Sequence, residues 1–358
     1  MTEKEYRQYK ADSYTTLKDF DNDRKKYYRK YVAQEDVRER EDEEESKAAT
    51  IGSLVDCLLL DPDSFDDKFF VSACINPPTG LMSDFVEALY KRTRDSVNEE
   101  GRLTKEFSSL MLEAYNDVKF DRDGNVVAFK RDSFEKVVEK FTGDVKTYYE
   151  EICRVRPNKL TVITTSEIAQ AEKVKNELRT NAITSQVVNL VSNSRFTVYN
   201  QFAIIFTLKS LELKSLIDKL VIDHEEKTIQ PYDLKVTWDA ENFYENYYLY
   251  RKTYLQAGLY HIALMNLKKQ PEYKDYTILP MQFIVVDPNV YMSPLIYKLS
   301  EDNLSAAYTG FNRKWRKYNG LESIISDLQW HKETGIWTIS KKNHENKGIV
   351  NLNDELND

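Results

Sequence analysis

Asp218 closes one apolar run of the chain, and Asp233 and Lys235 sit in the next, the two aspartates fifteen residues apart. Between the runs lies a polar break, His224-Glu225-Glu226-Lys227-Thr228, which reads as a hairpin turn. Strand side chains alternate faces, so Asp233 and Lys235 point the same way. If the two runs pair as a hairpin, Asp218 lies near Asp233 on the adjacent strand. Two carboxylates and a main-chain carbonyl, here that of Leu234, suit a hard cation such as Mg2+ or Mn2+ that keeps several waters. Such a cation activates a water and neutralises charge building on a phosphate. Lys235 would steady that water or the phosphate oxygens. The chemistry this points to is hydrolysis of a phosphodiester in nucleic acid. The plain alternative is a hairpin with acidic strand ends and an exposed edge lysine. A bare Asp…Asp-x-Lys does not exclude it.

Three further residues bear on the choice. Gln256 and Tyr260 are four apart on an expected helix and share a face. Gln can contact a phosphate or a water, and Tyr can donate to a phosphate oxygen; an ordinary amphipathic helix would also carry both. Asp56 lies inside the apolar run Ile51-Gly52-Ser53-Leu54-Val55-Asp56-Cys57-Leu58-Leu59-Leu60. An unpaired buried charge is costly, so Asp56 must reach solvent, a partner or a metal.

Other chemistries lack their residues. Cys57, Cys74 and Cys153 are widely separated and make no zinc or iron–sulfur pattern. The four histidines make no zinc pattern: His224 falls in the expected turn, His261 follows the Gln256/Tyr260 pair, and His331 and His344 are isolated. No Gly-x-x-x-x-Gly-Lys-[Ser/Thr] and no Gly-x-Ser-x-Gly is present. The net charge of −8 argues against a generally basic surface but leaves room for a local basic channel. With no apolar signal region and no run long enough to span a bilayer, a soluble, cytoplasmic protein without membrane contact is expected.

Residues 1–48 read as helical, with residues 38–45 an almost wholly charged solvated stretch. The apolar helix 51–60 stops at Asp61-Pro62. Residues 83–154 read as mostly helical, broken at Asp121-Arg122-Asp123-Gly124-Asn125. That segment only partly resembles a calcium loop and reads as a plain turn. Thr164 and Glu167 offer a capping box. Residues 197–209, 211–223 and 227–236 read as three successive strands, followed by a long helix over 240–267. Strands are expected at 277–286 and 294–299, a helix at 301–326 and a frayed tail at 351–358. The expected domains are a helical region, 1–155, that contributes the Asp56 helix, a core at 156–345 and a polar tail at 346–358, all within one compact unit.

Taken in order, these pieces resemble the PD-(D/E)xK nuclease superfamily, and most closely phage and prophage exonucleases of the exodeoxyribonuclease VIII (RecE) type. The carriers are Tyr14-Thr15-Thr16-Leu17-Lys18-Asp19-Phe20, the Ile51–Leu60 helix with Asp61-Pro62, Leu213-Lys214-Ser215-Leu216-Ile217-Asp218, Asp233-Leu234-Lys235-Val236-Thr237 and Tyr254-Leu255-Gln256-Ala257-Gly258-Leu259-Tyr260. The resemblance implies an α/β restriction-endonuclease-like core, with a central mixed sheet flanked by helices. It implies metal ligation by Asp218 and Asp233, a catalytic Lys235, and a Gln-x-x-x-Tyr motif at Gln256 and Tyr260 that contributes to catalysis and DNA binding. Asp56 stands where relatives often carry histidine, as a candidate metal ligand. Relatives digest duplex DNA ends in recombination, pass single strands to an annealing partner and can form ring oligomers. Two alternatives stay open: a non-catalytic DNA-binding or assembly protein on a decayed nuclease fold, and a nuclease acting on single strands, flaps or RNA.

Overall fold

The computed structural model describes residues 1, 3–35, 47–121, 123–289 and 293–350. The charged stretch 38–45 and the tail 351–358 lie outside the described residues. The chain divides into two compact units, Met1–Pro62 with Gln170–Asp358, and Asp63–Ala169.

The first unit is a mixed α/β structure built on one six-stranded sheet. Its strands are β1 (Phe196–Leu208), β2 (Leu211–Asp223), β3 (Thr228–Val236), β4 (Thr277–Ile278), β5 (Gln282–Val286) and β6 (Leu295–Lys298). β1, β2 and β3 form an antiparallel meander. β4 and β5 both lie parallel to β3, and β6 returns antiparallel to β5. The expected strands and mixed sheet are therefore present. Lys209 and Ser210 make the β1–β2 turn with φ of 48° and 63°, the left-handed pair a type I′ hairpin needs. At the β2–β3 turn Asp223 Oδ1 accepts the N–H groups of Glu225 and Glu226 at 3.0 and 3.1 Å, so an aspartate side chain shapes the bend.

Helices packed around the sheet include α1 (Tyr14–Asn22), α2 (Lys47–Leu60), α3 (Thr253–Leu267), α4 (Glu301–Thr309) and α5 (Leu321–Thr334). α3 is buried almost throughout. It packs on β1 and β2 and is covered by α1, α4 and α5. α2 packs on β3 and β2. Among the described residues, no helix is long and apolar enough to cross a membrane.

Four expected elements are divided. The N-terminal helical stretch is broken near Asp12, whose N–H bonds the Glu212 carbonyl at 3.1 Å and ties the chain to β2. The expected helix 240–267 is a π-helical turn, Tyr244–Leu249, then a left-handed Lys252 at φ 58°, then α3. Ring stacking of Phe243 on Tyr247 and of Tyr244 on Tyr248 holds the wide turn. The run 277–286 is cut by Leu279-Pro280-Met281, because proline has no N–H to give a ladder. The expected helix 301–326 stops at Gly310, with φ 86°. A hairpin, β7 (Gly310–Arg313) and β8 (Arg316–Asn319), separates α4 from α5.

One irregularity falls on Asp218. β1 and β2 pair continuously except where Gln201 faces Asp218, and Gln201 there has φ 52°. The core side chains of β2 are Leu211, Leu213 and Ile217 before this point, and Leu220 and Ile222 after it. Inward alternation thus slips by one residue at Asp218, while the register stays the same on both sides because one residue of each strand leaves the ladder.

In the second unit, helices Leu81–Asp95, Phe107–Lys119, Phe134–Lys140 and Gly143–Asn158 enclose a separate core with Phe85, Leu89, Leu110, Ala114 and Val137 at its centre. Strands Phe69–Val71 and Thr161–Ile163 pair in parallel. Asp121 accepts the N–H groups of Asp123 and Asn125 at 3.0 and 2.8 Å, as a plain turn does. The Thr164–Glu167 capping box forms, with both reciprocal bonds present.

Candidate active site

The β2–β3 ladder ends at Lys219 opposite Tyr232. Beyond that rung the strands carry Asp218 and Asp233 toward one another without pairing. Asp218 Oδ2 spans the gap by accepting the N–H of Leu234 at 2.9 Å. In an extended strand the N–H and C=O of one residue share an edge. The Leu234 carbonyl therefore faces the same gap, as a main-chain ligand would need to. Leu59, Leu60, Val188, Lys219, Tyr232, Leu234 and Ile284 line a small pocket with Asp218. Its apolar walls keep the local dielectric low.

Asp233 is 1% exposed. Its Oδ2 forms an ion pair with Lys235 Nζ, which fits the strand period of two. Its Oδ1 accepts from Gln256 Nε2 at 2.7 Å. Gln256 Nε2 also donates to Tyr260 Oη at 2.9 Å, and the Tyr260 hydroxyl donates to the Leu216 carbonyl. The two residues thus share a helix face as the four-residue spacing requires. Gln256 holds Asp233, and Tyr260 links Gln256 to the Leu216 carbonyl of β2. Gln256 Oε1 is buried without a hydrogen-bond partner.

Charge is unbalanced here. Burial, Asp233 and Asp56 together push the Asp218 carboxyl well above the usual range. Burial also raises Asp233, against the pull of Lys235. Burial opposes the charge of Lys235, but Asp233 and Asp218 outweigh it and hold its pKa above the ordinary lysine value. Asp56, half-buried on α2, adds its field to both Asp218 and Lys235. Three carboxylates surround one ammonium, an excess of negative charge in a low-dielectric setting that a divalent cation would offset. Among the described residues, no three His, Cys, Asp or Glu side chains converge as a ligand cluster. What the site offers is two carboxylates, the Leu234 carbonyl and, nearby, the Asp56 charge. That donor set fits Mg2+, which is bound through one or two carboxylates and retains waters.

The sequence reading missed a rim of cations. Burial and repulsion by Arg251, Lys235 and Lys252 lower the pKa of Lys18 on α1, with Asp19 opposing them. Tyr14, one turn before Lys18, donates its hydroxyl to the Arg251 carbonyl at 2.9 Å. Lys18 Nζ lies 5.3 Å from the Tyr14 ring centroid. Among the described residues, neither Lys18 nor Arg251 has a carboxylate partner at ion-pair distance. The spacing of Tyr14 and Lys18 was visible in the sequence; their closeness to Lys235 was not.

No family model matches the sequence, and no curated protein matches it. Among solved structures the chain is similar to a candidate exonuclease from Eubacterium rectale, at 12% identity and a TM-score of 0.40, over 91% of this chain and 82% of that chain. A likeness that distant carries no weight for function, which is argued from the site itself.

Proposed function

We propose that the protein is a metal-dependent nuclease that hydrolyses phosphodiester bonds in DNA, acting from ends in the manner of the PD-(D/E)xK exonucleases it resembles in motif order. The observation that supports this most is the junction of Asp218, Asp233 and Lys235 where β2 and β3 part, with Asp218 fixed on the Leu234 N–H at 2.9 Å. Asp218, Asp233 and the Leu234 carbonyl would hold Mg2+ or Mn2+, with Asp56 close by. The cation would supply Lewis-acid charge and a water of lowered pKa. Lys235 presents a fixed positive charge to the attacking water or to a phosphate oxygen. Gln256 orients the Asp233 carboxylate, and Tyr260 ties Gln256 to β2. Lys18 and Arg251 bring further positive charge to the side of the site that carries Lys235. Duplex DNA from phage-type recombination or DNA processing is the substrate this reading expects, with a single-strand annealing protein as a partner and a homo-oligomer as a working form.

The test is purified protein on 5′- and 3′-labelled duplex and single-stranded DNA, with Mg2+, with Mn2+ and with chelator. Metal-dependent shortening from an end is expected. Intact substrate under every metal condition would overturn the proposal.

A further inference from the structure

The β7–β8 hairpin carries Arg313-Lys314-Trp315-Arg316-Lys317, four cations in five residues, in a chain of net charge −8. Trp315, at its tip, is 100% exposed. An indole wholly in water contributes nothing to folding. The tip is also built against local preference. Arg313 and Arg316 are direct cross-strand partners, and like charges so placed repel. Lys314 holds φ 53° in the two-residue turn, where glycine would relieve the strain.

The base of the hairpin is rigid by contrast. Phe311 and Tyr318 stack with centroids 4.8 Å apart. Tyr254 of α3 packs edge-on against both rings, and its hydroxyl donates to the Asn319 carbonyl at 2.9 Å. A Cβ on Gly320 would collide with the Gly310 nitrogen and the Tyr308 carbonyl, so the neck closes only around glycine. Arg313 pairs with Glu245 and lies 4.8 Å from the Tyr244 ring. Tyr254 stands two residues before Gln256, which holds Asp233. These two side chains leave α3 on different faces, but the foot of the hairpin also meets α1: Asn319 donates to Asp21 at 2.8 Å, and Asp21 pairs with Lys252, whose charge, with that of Arg251, acts on Lys18.

We infer that this hairpin is an arm for single-stranded DNA: Trp315 stacks on an unpaired base, and Lys314 and Arg316 hold the phosphates beside it. Every base offers a π-face, so stacking is tolerant of sequence, and arginine and lysine track the backbone. A polyanion also gives Arg316 the counter-charge that Glu245 already gives Arg313. The inference rests on the nuclease reading for its substrate, and it places unpaired nucleotides on the Lys18–Arg251 side of the site.

The experiment measures binding of the full chain to a labelled twenty-nucleotide oligothymidylate in chelator, where no cutting occurs. Stacking of about 1–3 kcal/mol per base predicts that Trp315→Ala weakens binding roughly 5- to 150-fold, with the melting temperature unchanged. Trp315→Phe keeps most of the affinity. Lys314→Ala with Arg316→Ala reduces the salt dependence by about 1.4 in log–log slope. Wild-type affinity in Trp315→Ala, or equal loss in Trp315→Phe, would overturn the arm. So would wild-type binding to phosphatidylglycerol vesicles without binding to the oligonucleotide. Wild-type cleavage with Mg2+ or Mn2+ is scored separately. If no DNA is cut but Trp315→Ala still loses binding, the nuclease reading fails and the arm stands.

Discussion

Asp218 receives the main-chain N–H of Leu234 through a side-chain oxygen, at the point where the β2–β3 ladder has run out. The carboxylate thus does two jobs, and they can be separated. Asp218→Asn keeps the acceptor for Leu234 and removes a charge crowded by Asp233 and Asp56. It should abolish cleavage yet raise the melting temperature of the metal-free protein. Asp218→Ala leaves the Leu234 N–H unsatisfied, costing about 1–3 kcal/mol. Thermal melts in chelator decide this; an asparagine variant less stable than the alanine one would refute it.

Lys235 is the counter-charge to a carboxylate that is 1% exposed. Removing one partner of a buried pair costs about 3–5 kcal/mol. Lys235→Ala should lose cleavage and unfold earlier in chelator. Added Mn2+ should recover more stability in this variant than in wild type, because the cation replaces the missing charge. Equal metal-induced shifts in the two proteins would count against a shared role.

Gln256 and Tyr260 act through Asp233 and the Leu216 carbonyl. Gln256→Leu and Tyr260→Phe each remove buried hydrogen bonds worth about 1–2 kcal/mol. Both should lower kcat by roughly 5- to 30-fold, since 1.4 kcal/mol is a factor of ten, with little change in KM. A rise in KM at constant kcat would show instead that these side chains bind DNA directly.

The raised carboxyls fix a pH signature. In the unfolded chain these aspartates ionise near the ordinary value of 3.8, whereas burial and then mutual repulsion delay ionisation of Asp218 in the fold. Burial delays Asp233 as well. Folding therefore takes up protons above about pH 4, and stability falls as pH rises until the folded pair has ionised. His331 has the opposite slope: burial lowers its pKa from 6.5, so its contribution is lost as pH falls. Urea unfolding in chelator, compared between wild type and Asp218→Asn, isolates the carboxyl part. Their stability difference should widen as pH rises from 4.5 to 7; a difference independent of pH would contradict it.

The meander of three strands was legible because Lys209-Ser210 and Asp223–Lys227 are turn segments between long apolar runs. Asp233 with Lys235 follows from strand alternation, and Gln256 with Tyr260 from the helical repeat. The slip at Asp218 was not legible, because it depends on a left-handed Gln201 across the ladder, a residue with no local signature for that conformation. The break before α3 depends on tyrosine rings stacking into a π turn, and tyrosines at that spacing also suit an ordinary helix. The β7–β8 hairpin was hidden for a similar reason: its helical flanks share one amphipathic pattern, and Gly310 alone does not announce a pair of strands. The cation rim joins α1 to the stretch before α3, a separation in sequence that no periodicity spans.

The unit Asp63–Ala169 is one unbroken stretch of chain, while the other unit is assembled from two stretches on either side of it. During synthesis these parts mature at different times. The contiguous unit can fold as soon as it has left the ribosome. The site joins Asp56 to Asp218, Asp233 and Tyr260, so a nascent chain carries its first carboxylate long before the others exist. Loop closure over that span sets the pace of the second unit to form. The candidate site therefore stays incomplete until most of the chain has been translated.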